Sequence, residues 1–148
     1  MNKNEELLIK DLTCRLSYGV KWLVEIDETE YDEFSGKDIG FKGKSIGELY
    51  LLDMNDNHVE LYFEDNDELS DMSMEGLITI NDIKPYLRSM SSMTEEETLK
   101  FVKTTIKTPD GYPMWATDSY DWLNKHHFDY RGLIPMRVAL EAPEGMYN

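Results

Sequence analysis

The stretch VKWLVEI, residues 20–26, predicts the first strand of a sheet. Val20, Trp22, Val24 and Ile26 stand at every second position, so they share one face of an extended chain. The intervening residues include a lysine and a glutamate, which suit the opposite, solvated face. The pattern therefore predicts a half-buried strand with something packed against its apolar side.

A helix is predicted immediately before this strand. Leu8, Leu12 and Leu16 recur at helical spacing, and Asn4 offers a side-chain oxygen as N-cap. Two glutamates follow the asparagine, where the positive end of the helix dipole favours acids. We therefore expect a helix over residues 4–16.

The middle of the chain predicts further short strands. Alternating residues at 47–54 and 58–64 flank an Asn/Asp turn, which predicts a hairpin, and 77–80 predicts a short β-branched strand. Residues 27–46 are polar and rich in glycine, so they predict a long loop, within which Ile39–Phe41 is a candidate short edge strand. Pro85 predicts a tight turn, because proline does not continue a helix.

Helical signals dominate the end of the chain. A capping box of the Thr-x-x-Glu type begins at Thr94 and precedes apolar residues at helical spacing, which predicts a helix over 95–106. A second short helix, capped by Thr117 or Asp118, is predicted to end near His127. The sequence thus predicts an α+β fold: an N-terminal helix, a small curved antiparallel sheet or partly open β-barrel, and a helical C-terminal lobe. We expect the division at residues 1–88 and 89–148, with the lobe packed on the sheet as a single compact unit.

Acidic residues are concentrated in one segment. The net charge is −15, and residues 45–82 contain eleven Asp and Glu without any Lys or Arg. Such a run is usually a solvated face. The alternative is a docking patch for a basic protein partner, for which the candidate residues are Glu60, Glu64, Asp65, Asp67 and Glu68.

Aromatic residues are concentrated in another segment, near the end of the chain. Trp115, Tyr120, Trp122, Phe128 and Tyr130 fall within sixteen residues. They predict the core of a small C-terminal lobe, and the alternative is a recognition surface, because Trp and Tyr dominate binding hot spots.

Motifs for catalysis or cofactor binding are not evident. The only cysteine, Cys14, lies within the predicted first helix and is expected to be a small buried hydrophobic residue. The adjacent histidines His126 and His127 are about 100° apart on a helix, so they do not form an i, i+4 metal pair. We therefore predict no catalytic residue, cofactor or metal ligand.

The location follows from the same composition. The first residues lack an apolar signal region, and no apolar run approaches the ~20 residues that span a bilayer. The negative charge opposes direct nucleic-acid binding. We expect a cytoplasmic protein without membrane contact.

Several blocks resemble a known group of sequences. Residues 5–20, 83–97, 127–134 and 139–147 are similar to uncharacterised proteins of gut Bacteroidetes and their phages or prophages. The resemblance implies a mobile-element setting and carries over no activity and no catalytic residues.

Three hypotheses for function follow. The first is a non-enzymatic phage- or prophage-type accessory protein that acts by binding another protein. The second is an acidic nucleic-acid mimic that inhibits a host DNA-binding enzyme, since carboxylates on one strand face repeat at multiples of ~6.7 Å. The third is a small hydrolase or metal-dependent enzyme.

Overall fold

The computed structural model describes residues 2–53, 58–62 and 80–147. Its helices and strands, in chain order, are α1 (Lys3–Arg15), β1 (Lys21–Asp32), β2 (Lys37–Asp53), β3 (His58–Tyr62), β4 (Ile83–Leu87), α2 (Glu95–Val102), β5 (Ile106–Lys107), β6 (Pro113–Met114), α3 (Thr117–Lys125) and β7 (Leu140–Glu141). The predicted strand at 77–80 lies outside the described residues, apart from its last position.

Five of the strands form one sheet in the order β3-β2-β1-β4-β7, and β5 and β6 form a separate two-stranded ribbon. The α+β class and the N-terminal helix are therefore confirmed, and the predicted hairpin corresponds to β2 and β3. The sheet is not purely antiparallel, because β7 pairs parallel with β4. Over the described residues the sheet is open and not closed into a barrel.

Helix α1 covers the apolar face of β1. Its Leu8, Ile9 and Leu12 share a buried core with Trp22 and Val24, as the two periodicities predict. The start of the helix differs from the prediction. Asn2 and not Asn4 is the N-cap, because the side chains of Asn2 and Glu5 each accept the other's backbone N–H in a capping box.

The predicted long loop at residues 27–46 is wrong, because β1 and β2 continue through it as a ribbon that turns at residues 33–36. The candidate edge strand at Ile39–Phe41 lies within β2. The register places acidic positions of β1 opposite lysine positions of β2: Glu25 opposite Lys44, Asp27 opposite Lys42 and Asp32 opposite Lys37. Opposite charges directly across an antiparallel pair stabilise it. The sequence of β1 beyond residue 26 is mostly polar and lacks the alternation by which strands are recognised, so the sequence pattern missed this part of the strand.

The predicted turn around Pro85 is also wrong, because this residue lies within β4, between β1 and β7. Proline lacks the N–H that a central strand donates. The pairing accommodates it: Pro85 stands opposite Trp22 of β1, and β7 pairs only with the two residues that follow, Tyr86 and Leu87.

The described part of the C-terminal lobe carries the two predicted helices and three short strands, β5, β6 and β7. The capping box at Thr94 is confirmed, although α2 ends at Val102 and not near residue 106. The residue before α3 is Ala116, whose N–H donates to Ser119 Oγ, so neither Thr117 nor Asp118 is the N-cap. Further residues of this part of the chain, Leu133 and Ala139, belong to the same core as α1 and β1.

The helices of the described part are short. The longest, α1, has 13 residues, and none combines the length and apolar character that crossing a bilayer requires.

Candidate functional site

The predicted acidic patch falls largely outside the described residues. Glu64, Asp65, Asp67 and Glu68 are not among them, and of Glu60 only the backbone is described, in β3 opposite Leu51. The patch therefore stays a prediction.

The predicted aromatic cluster does assemble. Trp115 lies edge-on to Tyr120, with ring centroids 5.5 Å apart, and Tyr120 lies edge-on to Tyr130 at the same distance. Trp122 stacks on Phe128 at 5.7 Å with an angle of 10° between the ring planes. Phe128 is fully buried, whereas Trp115 and Tyr120 are exposed. The cluster thus has a buried core, as expected, and an exposed rim that suits the alternative of a recognition surface.

Further exposed apolar side chains lie close to this rim in the sequence. Ten large apolar side chains are exposed in the described residues, and seven of them lie between residues 99 and 120. We call these seven the apolar face; they are Leu99, Val102, Ile106, Tyr112, Met114, Trp115 and Tyr120. Ile106 of β5 and Met114 of β6 stand directly opposite each other, each about half exposed. Such a concentration differs from the single exposed apolar residues that any protein surface shows.

Charge around the apolar face differs from that of the whole chain. Between residues 99 and 120 stand three lysines and two aspartates, in a protein of net charge −15. Lys100 pairs with Glu96 one turn earlier in α2, at 3.1 Å. The apolar face is therefore bordered by slightly basic rather than acidic sequence.

A second feature lies where β1 and β4 separate. The register of the two strands would place Lys21 opposite Tyr86, one position past the last pair. There the Tyr147 hydroxyl bridges the strands: it accepts the Lys21 N–H at 2.8 Å and donates to the Tyr86 carbonyl at 2.7 Å. Burial raises the pKa of Tyr147, so the phenol keeps the proton that it donates.

The Tyr147 ring stacks on the imidazole of His127, with centroids 3.8 Å apart. His127 is only 7% exposed, and its buried Nδ1 has no hydrogen-bond partner in the described part of the chain. Its backbone is left-handed, with φ 63°, a conformation rare outside glycine and often found at functional sites. Burial, reinforced by Arg15 and other neighbouring cations, lowers the pKa of His127 to about 4.

A buried ion pair holds the His127 segment in place. Arg15 donates to both carboxylate oxygens of Asp11, at 2.8 and 3.0 Å, and to the Phe128 carbonyl at 2.6 Å. Arg131 Nε approaches Asp11 Oδ1 at 3.3 Å without hydrogen-bond geometry. The backbone at His127 itself is also held, because the backbone N–H of Arg88 donates to the His127 carbonyl. The strained backbone of His127 is thus held on both sides.

Two clefts flank Tyr147 and share Arg88. The first, about 570 Å³, is lined by Glu97, Glu141 and Glu144 together with hydroxyl groups. The second, about 470 Å³, is lined by Lys21, Lys125, His126 and His127, with Glu48 as its acid. The two clefts therefore carry opposite charge.

Arg88 stands at the boundary between these clefts. Its Nη1 and Nη2 each donate to one carboxylate oxygen of Glu97 at 2.7 Å, and its guanidinium lies 4.2 Å from the Phe128 ring centroid. The hydrogen bond from Arg88 is the largest cause that lowers the pKa of Glu97 to about 2. This bidentate pair uses the planar donor fork of the arginine.

Sequence reasoning missed this site, because its members are far apart in the chain. Only the adjacent histidines gave a signal, and their helical spacing argued against a site; His127 in fact lies beyond α3 in a left-handed turn. Cys14 was expected to be buried but is exposed, with Arg131 Nη2 3.7 Å from its sulfur. Within the described residues, no three His, Cys, Asp or Glu side chains gather as metal ligands would.

No protein-family model, no curated protein and no solved structure matches this chain.

Proposed function

We propose that this chain is a non-enzymatic accessory protein of the phage or prophage type, which binds another protein through the apolar face. The observation that carries the proposal is the concentration of seven exposed apolar side chains between residues 99 and 120. Apolar surface of this kind is costly to leave in water and is a common mark of an interaction site.

The composition of the apolar face suits protein recognition. Trp115 and Tyr120 supply the large, rigid side chains that dominate hot spots. Their rings also contact the buried part of the cluster through Phe101 and Tyr130, which restricts their motion before binding. A surface already ordered loses less entropy when a partner docks.

The proposal also predicts the chemistry of the partner. Lys103 and Lys107 border the exposed apolar residues, so acidic groups on the partner would match the rim. Under the alternative hypothesis, the acidic segment of residues 45–82 would prefer a basic partner. The two hypotheses therefore predict different responses to mutation and to salt.

The test is affinity capture from a gut Bacteroidetes lysate with three variants of the chain as bait. In Ile106→Ser/Met114→Ser the apolar face is disrupted. In the matched control, Ile46→Ser/Met136→Ser, an exposed isoleucine and an exposed methionine outside that face are replaced. In the third, the acidic candidates Glu60, Glu64, Asp65, Asp67 and Glu68 are changed to amides.

We expect the first variant to lose the captured partner, and the other two to retain it, also at high salt. Near-ultraviolet circular dichroism checks that each bait is folded. Equal loss in the first variant and the control would contradict the proposal. Loss confined to the acid-neutralised bait would place the contact on the acidic segment instead.

A further inference from the structure

A cleft of about 470 Å³ opens beside His127, independent of the apolar face. The start of β1 and the end of α3 form its walls, and Met146 and Tyr147 border it on the C-terminal side. Its volume lies within the range of sites for small molecules, about 300–1,000 Å³. The Tyr147 hydroxyl ties this border to both β1 and β4, so the cleft is built on the sheet and not on a free tail.

Positive charge gathers in this cleft. Lys21, Arg88 and Lys125 line it, against the carboxylate of Glu48. Lys21 and Glu48 stand opposite each other in β1 and β2, and the Lys21 ammonium also donates to the Met146 carbonyl at 3.4 Å. In a chain of net charge −15, a cleft with this excess of cations attracts anions.

A buried polar group without a partner lies at the wall of the cleft. His127 is more than nine-tenths buried, and its buried Nδ1 has no hydrogen-bond partner within the described residues. Buried polar groups normally have a partner, and their exceptions call for an explanation. A bound ligand that accepts a hydrogen bond would provide such a partner. The left-handed backbone of His127 also agrees with a functional constraint at this position.

The cations present favour one class of anion. The two-pronged donor fork of an arginine recognises carboxylates and phosphates through two parallel hydrogen bonds. The fork of Arg88 is already occupied by Glu97, so Lys21 and Lys125 remain as flexible point charges. Lysines of this kind are common phosphate ligands. The volume exceeds that of a bare ion, which leaves space for the group that carries the phosphate.

We propose that the cleft beside His127 binds the phosphate group of a small phosphomonoester, with Lys21 and Lys125 as its charged ligands. The inference goes beyond the proposed protein binding and stands on different residues.

The first test is an NMR titration at pH 7 and constant ionic strength with three probes: ribose 5-phosphate, inorganic phosphate and ribose. We expect saturable shifts of the His127 and Tyr147 signals with both phosphates, stronger binding of ribose 5-phosphate, and no shift with ribose. Binding of inorganic phosphate alone would overturn the phosphomonoester assignment. Absence of saturation with either phosphate, or shifts at other residues only, would overturn the site.

The second test uses charge variants whose effects differ in sign. Lys21→Gln/Lys125→Gln should weaken ribose 5-phosphate binding by about tenfold or more, because two charge-assisted contacts are lost. Glu48→Gln should strengthen it, because a like charge is removed from the cleft. Lys100→Gln/Lys103→Gln changes the net charge equally at the C-terminal end of α2 and should leave affinity unchanged. If both double lysine variants weaken binding equally, the binding reflects nonspecific charge attraction and the proposal is overturned. Backbone NMR spectra establish that each variant is folded.

Discussion

Replacement of Asp11 by asparagine should destabilise the protein severely. Asp11 and Arg15 are both fully buried, and Asp11 is the acid that faces Arg15 at 2.8 Å and Arg131 at 3.3 Å. Asp11→Asn keeps the shape of the side chain but leaves the Arg15 charge buried without an anion. Breaking a buried pair in this way costs about 3–5 kcal/mol. Domains of this size are stable by about 5–15 kcal/mol, so the variant should lie near the edge of folding.

The chain supplies a matched control with the same spacing. Glu96 and Lys100 are also four residues apart on a helix and 3.1 Å apart, but their side chains are 79% and 60% exposed. Exposed helical pairs contribute about 0.3–0.5 kcal/mol. Glu96→Gln should therefore change stability by an order of magnitude less than Asp11→Asn, although both substitutions remove one carboxylate from an i, i+4 ion pair.

Urea unfolding followed by tryptophan fluorescence measures both effects, since Trp22 is fully buried. We expect a much lower midpoint for Asp11→Asn with an unchanged slope, as for a change in stability alone. A double variant, Asp11→Leu/Arg15→Met, should recover part of the loss because no charge remains buried. A loss below about 1 kcal/mol for Asp11→Asn, or one equal to that of Glu96→Gln, would show that the buried pair contributes no more than an exposed one.

Three further predictions concern the C-terminal lobe and its contacts with the sheet. Tyr147→Phe should lower the free energy of unfolding by about 1–3 kcal/mol in urea titrations, because two backbone groups lose their bridge; an unchanged midpoint would show that water replaces it. The pKa of His127 falls from 6.5 to about 4 on folding, so the unfolded chain binds the proton more tightly. The contribution of neutral His127 to the free energy of unfolding should thus be complete above pH 6.5 and be lost, by about 2–3 kcal/mol, between pH 6.5 and 4. His127→Asn should flatten this slope, since asparagine tolerates the left-handed backbone. An identical pH profile in the variant would contradict the assignment to His127. Thr94→Ala should cost about 1 kcal/mol through the lost N-cap of α2, measured by thermal unfolding, and a wild-type midpoint would show that the cap is dispensable.

Local patterns predicted the elements that bury one face. The spacing of Leu8 and Leu12 predicted α1, and the alternation from Val20 to Val24 predicted the core side of β1. The Thr94 capping box was also recognisable, because its two hydrogen bonds join residues only three positions apart. Patterns of this kind are short, and their physical cause lies within one turn or one strand.

The β1–β2 ribbon and β4 were missed for the opposite reason. The ribbon beyond residue 26 is polar, and its register places opposite charges such as Asp27 and Lys42 across from each other, which no pattern along one strand shows. Pro85 argued against a central strand, and the position that tolerates it is apparent only from the pairing with β1 and β7.

The candidate sites also divide into those that the sequence predicts and those that depend on the fold. The acidic segment of residues 45–82 and the group of aromatic residues in the C-terminal lobe are evident from the sequence, because charge and composition are properties of the chain. Two other contacts depend on the tertiary structure. Arg15 donates to the carbonyl of Phe128, which is 113 positions away in the sequence, and the Tyr147 hydroxyl accepts the N–H of Lys21, which is 126 positions away. The cleft beside His127 depends on both contacts. Its ligands come from segments that only the packing of α1, the sheet and the C-terminal lobe brings together, and no periodicity along the chain encodes such a meeting.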